Sequence, residues 1–124
     1  MTWDQWDAVV RAKVAGAWNF HYALAEKPVD FFICLSSVAG IVGNRGQAAY
    51  SAANCFLDAF VQYRNKQGLA ASSIDLTAVS DVGYLAENAE RQPEVTENLG
   101  AETIEESEVL ALIGAAIGGA LQQH

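Results

Sequence analysis

A chain of 124 residues has room for one domain, since a domain takes about 150 residues. With 52% hydrophobic, 10% aromatic and 18% charged residues it holds enough apolar material for a core and too little charge for disorder. Seven Lys and Arg against fifteen Asp and Glu leave a net charge of −8, which excludes nucleic acid and anionic membranes as expected partners. The longest strongly apolar stretch, residues 109–121, is shorter than the ~20 residues of a bilayer span. The start, MTWDQWD, is acidic where a signal peptide is basic, and two cysteines cannot build a secreted disulfide framework. These features predict a cytoplasmic protein with reduced thiols.

Thr2 and Gln5 have the spacing of a capping box, so a helix is expected to begin here and to end near Ala25, ahead of Pro28. At 100° per residue, Trp6, Val9, Val10, Ala17, Phe20 and Leu24 fall within about 60° of one line, with Asp4, Asp7, Arg11 and Asn19 opposite. Lys13 sits inside this apolar stripe. Either its stem snorkels along the core to water, or its ammonium points into a site.

The run FFICL, residues 31–35, lacks alternation and predicts a central parallel strand covered on both faces. A loop with Gly40, Gly43 and Gly46 follows, then a helix over residues 47–67 with Gly68 as its C′ residue. The GxxGxxG spacing is neither a dinucleotide fingerprint nor a P-loop, so these glycines are read as loop formers. Residues 72–76 predict a second strand, parallel to the first through a right-handed crossover. Residues 87–108 hold eight glutamates and one arginine, a surface excursion that is either a solvated face or a docking patch. A closing helix is expected over residues 108–121, its Gly114 and Gly118 packed closely on a neighbour.

The order helix, strand, helix, strand, helix is that of an α/β doubly wound parallel sheet. Two strands make only part of such a sheet. Ser37 ends the apolar strand on the side where these sheets place ligands, while Tyr50 and Asn54, four apart, share a face of the next helix. Singly they read as a turn residue, an amphipathic core residue and a helix hydrogen bonder. Following a buried strand and an inward lysine, they form a candidate site. His21, His124, Cys34 and Cys55 have no zinc spacing, and no histidine is placed to activate Cys55.

The stretch FFICLSSVAGIVGNRGQAAYSAANCFLDAF closely resembles the catalytic segment of ketoreductase domains in polyketide synthases, members of the short-chain dehydrogenase/reductase superfamily. Residues 73–88, SIDLTAVSDVGYLAEN, are similar to the family's substrate-side loop. Most of the superfamily has YxxxK. Here Y-S-A-A-N places Asn54 where that lysine would stand, and Lys13 comes from the earlier helix, an exchange that resembles the synthase branch. VDFFICLSSVAG and GQAAYSAANCFLDA read most like the iterative fungal reducing type.

The resemblance implies a Rossmann-like fold and NADPH-dependent reduction of a β-ketoacyl thioester carried on an acyl carrier protein, during polyketide elongation. Tyr50 would donate the proton, and Lys13 would favour the phenolate and hold the cofactor ribose, making Lys13 and Tyr50 its cofactor-binding pair. Ser37 would bond the carbonyl oxygen, and Asn54 would position Lys13 or a water. The family's glycine-rich turn and its Leu-Asp-Asp signal do not occur here. Residues 1–124 therefore read as one incomplete ketoreductase domain, inactive and unable to hold NADPH tightly by itself. Val42, eight before Tyr50, is not the tryptophan that marks one stereochemical type. The rival reading is a noncatalytic structural or interaction fragment. Either way the open edge of the apolar strand, or a second helix stripe of Phe56, Phe60 and Tyr63, is expected to drive self-association.

Overall fold

A computed structural model describes residues 1–79 and 103–119. The capping box at Thr2 forms as expected: its Oγ1 accepts from Gln5 N at 3.2 Å, and Gln5 Oε1 accepts from Thr2 N at 2.9 Å. The helix that follows is interrupted. Helix α1 (Trp3–Val10) passes into a π-helical turn (Arg11–Ala15) and then into α2 (Gly16–Ala23), with Gly16 N bonded to Arg11 O five residues back. A π turn carries extra residues per turn and so sets back the phase of everything beyond it by about one residue. This corrects the wheel: Phe20, expected to face inward, is 64% exposed, and His21 is buried in its place.

Strand β1 (Ile33–Ser37) starts two residues later than expected and runs through both serines. It pairs in parallel with β2 (Ser72–Leu76), Cys34 opposite Ser73 and Ser36 opposite Asp75, and the ladder extends to Val38 N on Leu76 O. Between them lie a short helix, α3 (Ala39–Val42), where a loop was expected, and the long helix α4 (Ala48–Lys66). Gly43 and Gly46, at φ 74° and 77°, form the turn between α3 and α4, and Gly68 at φ 76° ends α4. The short strands β3 (Ala78–Val79) and β4 (Thr103–Ile104) make a second parallel pair. Helix α5 (Glu106–Ile117) begins earlier than expected because Glu105 and Glu108 make a capping box of their own. A methyl group at Gly114 would meet nothing within 4 Å, and one at Gly118 would meet only carbonyls of its own helix, so the expected close packing is not seen among the described residues. The acidic segment and the substrate-side loop lie mostly outside the described residues.

Cys34, Leu57, Phe60, Val61 and Ala71 form the core where β1 and β2 meet α4. Each large side chain there contributes about 1.5–3 kcal/mol of burial. The other face of the strand is less covered than a central strand requires: Leu35 is 45% exposed, and β1 has no second neighbour among the described residues. The stripe of Phe56, Phe60 and Tyr63, expected to be bare, is instead partly covered by α2, with Phe60 buried and Tyr63 still 44% exposed. Trp18 sits 5.0 Å from Phe60, 5.5 Å from Tyr63 and 6.2 Å from Phe56, and His21 is 5.6 Å from Phe60. The sheet takes one side of α4 and the N-terminal helix takes the other. Among the described residues no helix is long and apolar enough to cross a membrane.

Candidate active site

The site is assembled where three elements meet at the carboxyl end of β1. Lys13 lies in the middle of the π turn, a distortion that recurs at functional positions because it re-aims side chains. Its Nζ donates to Leu35 O at 3.0 Å and to Asn54 Oδ1 at 2.6 Å, and lies 5.1 Å from the centroid of the Tyr50 ring. The stem does not snorkel away. Burial lowers the Lys13 pKa below the ordinary lysine value, with Cys34 and Asp58 acting in the opposite direction.

Asn54 is fully buried, and both ends of its amide are used: Oδ1 accepts from Lys13, and Nδ2 donates to Tyr50 O at 2.8 Å. Its own carbonyl accepts from Ser36 Oγ at 3.0 Å, which fastens α4 to β1 at this level. Lys13, Tyr50 and Asn54 therefore form one connected group. Ser37, buried at the strand end, is held differently: its Oγ accepts from Ala39 N at 3.1 Å and shares no hydrogen bond with the other three. The link between Ser37 and the helix runs through α3. Gly40 packs so tightly on α4 that a methyl group there would lie 2.7 Å from Cys55 N and 2.9 Å from Asn54 C. Gly40 is thus a packing glycine and not the loop former expected.

Three further residues support the group, and no sequence pattern singles them out. Arg64, buried on α4, donates Nε and Nη2 to Ala70 O at 3.2 and 3.1 Å, and its guanidinium stacks 4.1 Å from the Phe32 ring centroid. Its Nη1 lies 2.8 Å from His21 Nδ1, and because a guanidinium can only donate, that nitrogen is the acceptor. Asp58, one turn beyond Asn54, meets Asp75 of β2 side chain to side chain. Burial first, then the contact and charge of Asp58, push the Asp75 carboxyl up to about 6, with a Ser36 hydrogen bond opposing. The alternation of charged and apolar residues on α4 gives no sign of either contact, since both depend on residues distant in sequence.

An ammonium has three donors, and Lys13 spends two on Leu35 and Asn54, which leaves one for a ligand hydroxyl beside the Tyr50 ring. That donor set suits the sugar of a nucleotide cofactor. It offers nothing for a pyrophosphate.

The KR domain family matches residues 1–81. The chain is 63% identical over 119 residues to a highly-reducing polyketide synthase of Aureobasidium melanogenum, covering 96% of this chain and 5% of that protein. It is 48% identical over 123 residues to a reducing polyketide synthase of Cochliobolus heterostrophus, covering 98% of this chain and 6% of that one. Among solved structures it is similar to an A1-type ketoreductase, with a TM-score of 0.83 and 30% identity over 98% of this chain and 25% of that chain. An A-type ketoreductase from a modular polyketide synthase gives a TM-score of 0.80 and 32% identity, over 94% of this chain and 24% of the other. The chain thus spans about a twentieth of the synthases it matches.

Proposed function

We propose, for a chain that belongs to the ketoreductase domain family of polyketide synthases, that it forms the catalytic part of an enzyme reducing a β-ketoacyl thioester on an acyl carrier protein during chain elongation. The observation that carries this reading is the connected group of Lys13, Asn54 and Tyr50 at the carboxyl end of β1, with Ser37 at the same strand end. NADPH, when bound, supplies the hydride to the ketone carbon.

The residues of this chain manage the oxygen. Tyr50 acts as general acid, giving its phenolic proton to the carbonyl oxygen as that oxygen gains charge. Ser37 donates a hydrogen bond to the same oxygen, from a position fixed before reaction. Its Oγ is already oriented by the Ala39 amide, which occupies a lone pair and leaves the hydroxyl proton to point elsewhere. Lys13 stabilises the phenolate left after transfer and offers its third donor to the cofactor ribose. Asn54 fixes Lys13: an amide anchored to Tyr50 O cannot swing, so its oxygen holds the ammonium in one place. The pyrophosphate and adenine are held by another part of the domain, and the activity belongs to the whole.

The test is Tyr50→Phe in the intact synthase, which is expected to lower ketone reduction by about 10²- to 10⁴-fold while leaving the fold intact. Turnover close to that of the parent would show that another group donates the proton.

A further inference from the structure

Lys13 bridges two elements that nothing covalent holds at a fixed distance. One of its acceptors, Leu35 O, belongs to β1, and the other, Asn54 Oδ1, belongs to α4. Successive carbonyls of a strand alternate in direction, and Phe32 O bonds Ser72 N of β2, so Leu35 O faces the opposite edge, where the ammonium meets it. The two bonds, at 3.0 and 2.6 Å, hold together only while their acceptors keep this span. Apolar contact between Cys34 and the core side of α4 resists separation of strand and helix, but it is non-directional and does little against sliding. Ser36 supplies a directional tie at this level. Its buried side chain, on the same face of β1 as Cys34, donates from Oγ to Asn54 O at 3.0 Å. That carbonyl lies inside α4 and already takes a helical bond from four residues on, so what the serine adds is the position of the helix. The result is a closed ring: Lys13 Nζ to the Leu35 carbonyl, along the chain to Ser36 Oγ, across to the Asn54 carbonyl, and through the Asn54 amide back to Nζ.

We propose that Ser36 is a positioning residue for Lys13: by tying the backbone of Asn54 to β1, it sets the span between Leu35 O and Asn54 Oδ1 that the ammonium bridges. The inference rests on the catalytic reading of Lys13 given above, but its primary readout does not depend on activity. It gives the two neighbouring serines separate duties. Ser37 Oγ accepts from Ala39 N of α3 at the strand end, whereas Ser36 Oγ donates to α4 and acts only through Asn54.

The experiment compares Ser36→Ala in two backgrounds of the intact synthase, the parent and Asn54→Ala. The second keeps the backbone carbonyl that Ser36 bonds and removes the side chain that Ser36 is there to place. Lys13 is read by brief acetylation with acetic anhydride and mass spectrometry, with the exposed Lys27 as internal reference. An ammonium loosened from its acceptors loses the bonds that favour its charged form and is more open to reagent. In the parent background Ser36→Ala is expected to speed Lys13 acetylation roughly threefold or more, and to lower kcat for ketone reduction about tenfold. In the Asn54→Ala background the same substitution should change both by less than about twofold, because the contact it controls is already gone. Equal effects in the two backgrounds would overturn the proposal and leave Ser36 a general support of the fold, and so would an unchanged Lys13 reactivity in a folded Ser36→Ala variant. Coupled acetylation with kcat unmoved by Ser36→Ala and by Asn54→Ala would support Ser36 as the residue that places Lys13 and remove Lys13 from the reaction. If Ser36→Ala does not fold, Ser36→Cys, whose longer and weaker donor shifts the same tie, is read by the same comparison.

Discussion

Gly40→Ala separates packing from loop conformation at a place where α3 packs tightly on the helix carrying Tyr50. An added methyl would sit 2.7 Å from Cys55 N, 2.9 Å from Asn54 C and 3.1 Å from Asn54 Cβ, whereas ordinary contact begins at 3.4 Å. Two of these atoms are backbone in mid-helix, so relief requires α3 and α4 to part by about 0.7 Å. Overpacking of this kind costs about 1–3 kcal/mol, and the better helix propensity of alanine returns about 0.5–1 kcal/mol. The net loss is then about 0–2.5 kcal/mol. The functional effect should be larger than the stability effect, because the displacement falls between Ser37, tied to α3 through Ala39, and Asn54 with Tyr50. Misplacement near 1 Å can cost about 10²-fold, so a drop of at least about tenfold in kcat is expected. The assay is ketone reduction by the intact synthase, with hydrogen exchange of peptides spanning residues 48–57 to register the parting of the helices. Gly43→Ala is the control: it meets nothing within 4 Å and suffers only its φ of +74°, so it strains the turn without moving the site. Equal activity in the two variants would refute the packing role assigned to Gly40.

Other perturbations have equally definite outcomes. Arg64→Ala removes both donors to Ala70 O and the partner of His21 from a buried position, and should cost about 3 kcal/mol; a urea midpoint indistinguishable from the parent would contradict the brace. Asp75 has its folded-state pKa raised from 3.8 to about 6, so the folded chain binds its proton more tightly and this group's contribution to stability falls as pH rises from about 4 through about 6. Asp75→Asn abolishes that loss and should be more stable than the parent at pH 8, by about 1 kcal/mol or less after solvent screening, with the advantage gone below pH 4; melting curves showing the opposite trend would exclude it. The isolated chain is expected to self-associate through the edge of β1 that has no neighbour among the described residues and through the exposed Phe31 and Leu35, and light scattering that returns 13.3 kDa at tens of micromolar would end that expectation.

What can be read from the sequence is what depends on local pattern. The capping box at Thr2, the bounds of α4 and β2, and the place of Lys13 in an apolar stripe all follow from spacing alone. The π turn does not, because one extra residue in a helical turn leaves no mark on composition, and so a regular wheel gives Phe20 the place that His21 holds. Spacing groups Gly40 with Gly43 and Gly46, yet only those two need a positive φ, while Gly40 answers to a backbone distant in sequence. No pattern in the sequence singles out Arg64 or Asp58. Their partners, His21, Ala70 and Asp75, lie on other elements, and a charge becomes buried through what folds over it. The second stripe of α4 reads as uncovered so long as the N-terminal helix has a single apolar face. The π turn gives it two.

That turn also divides labour along a single helix. Upstream of residue 15 the chain serves the site through Lys13, and downstream it serves the scaffold through Trp18 and His21. A regular helix of this length would tie the two duties to one phase, so that any rotation placing Lys13 better over Tyr50 would turn His21 away from Arg64. Winding Arg11–Ala15 into a regular α turn with no residue removed would impose that bargain, swinging the later segment by about 100° and exchanging His21 for Phe20. The wound-out turn acts as a phase coupling, letting the reactive end and the structural end be set independently on one continuous rod.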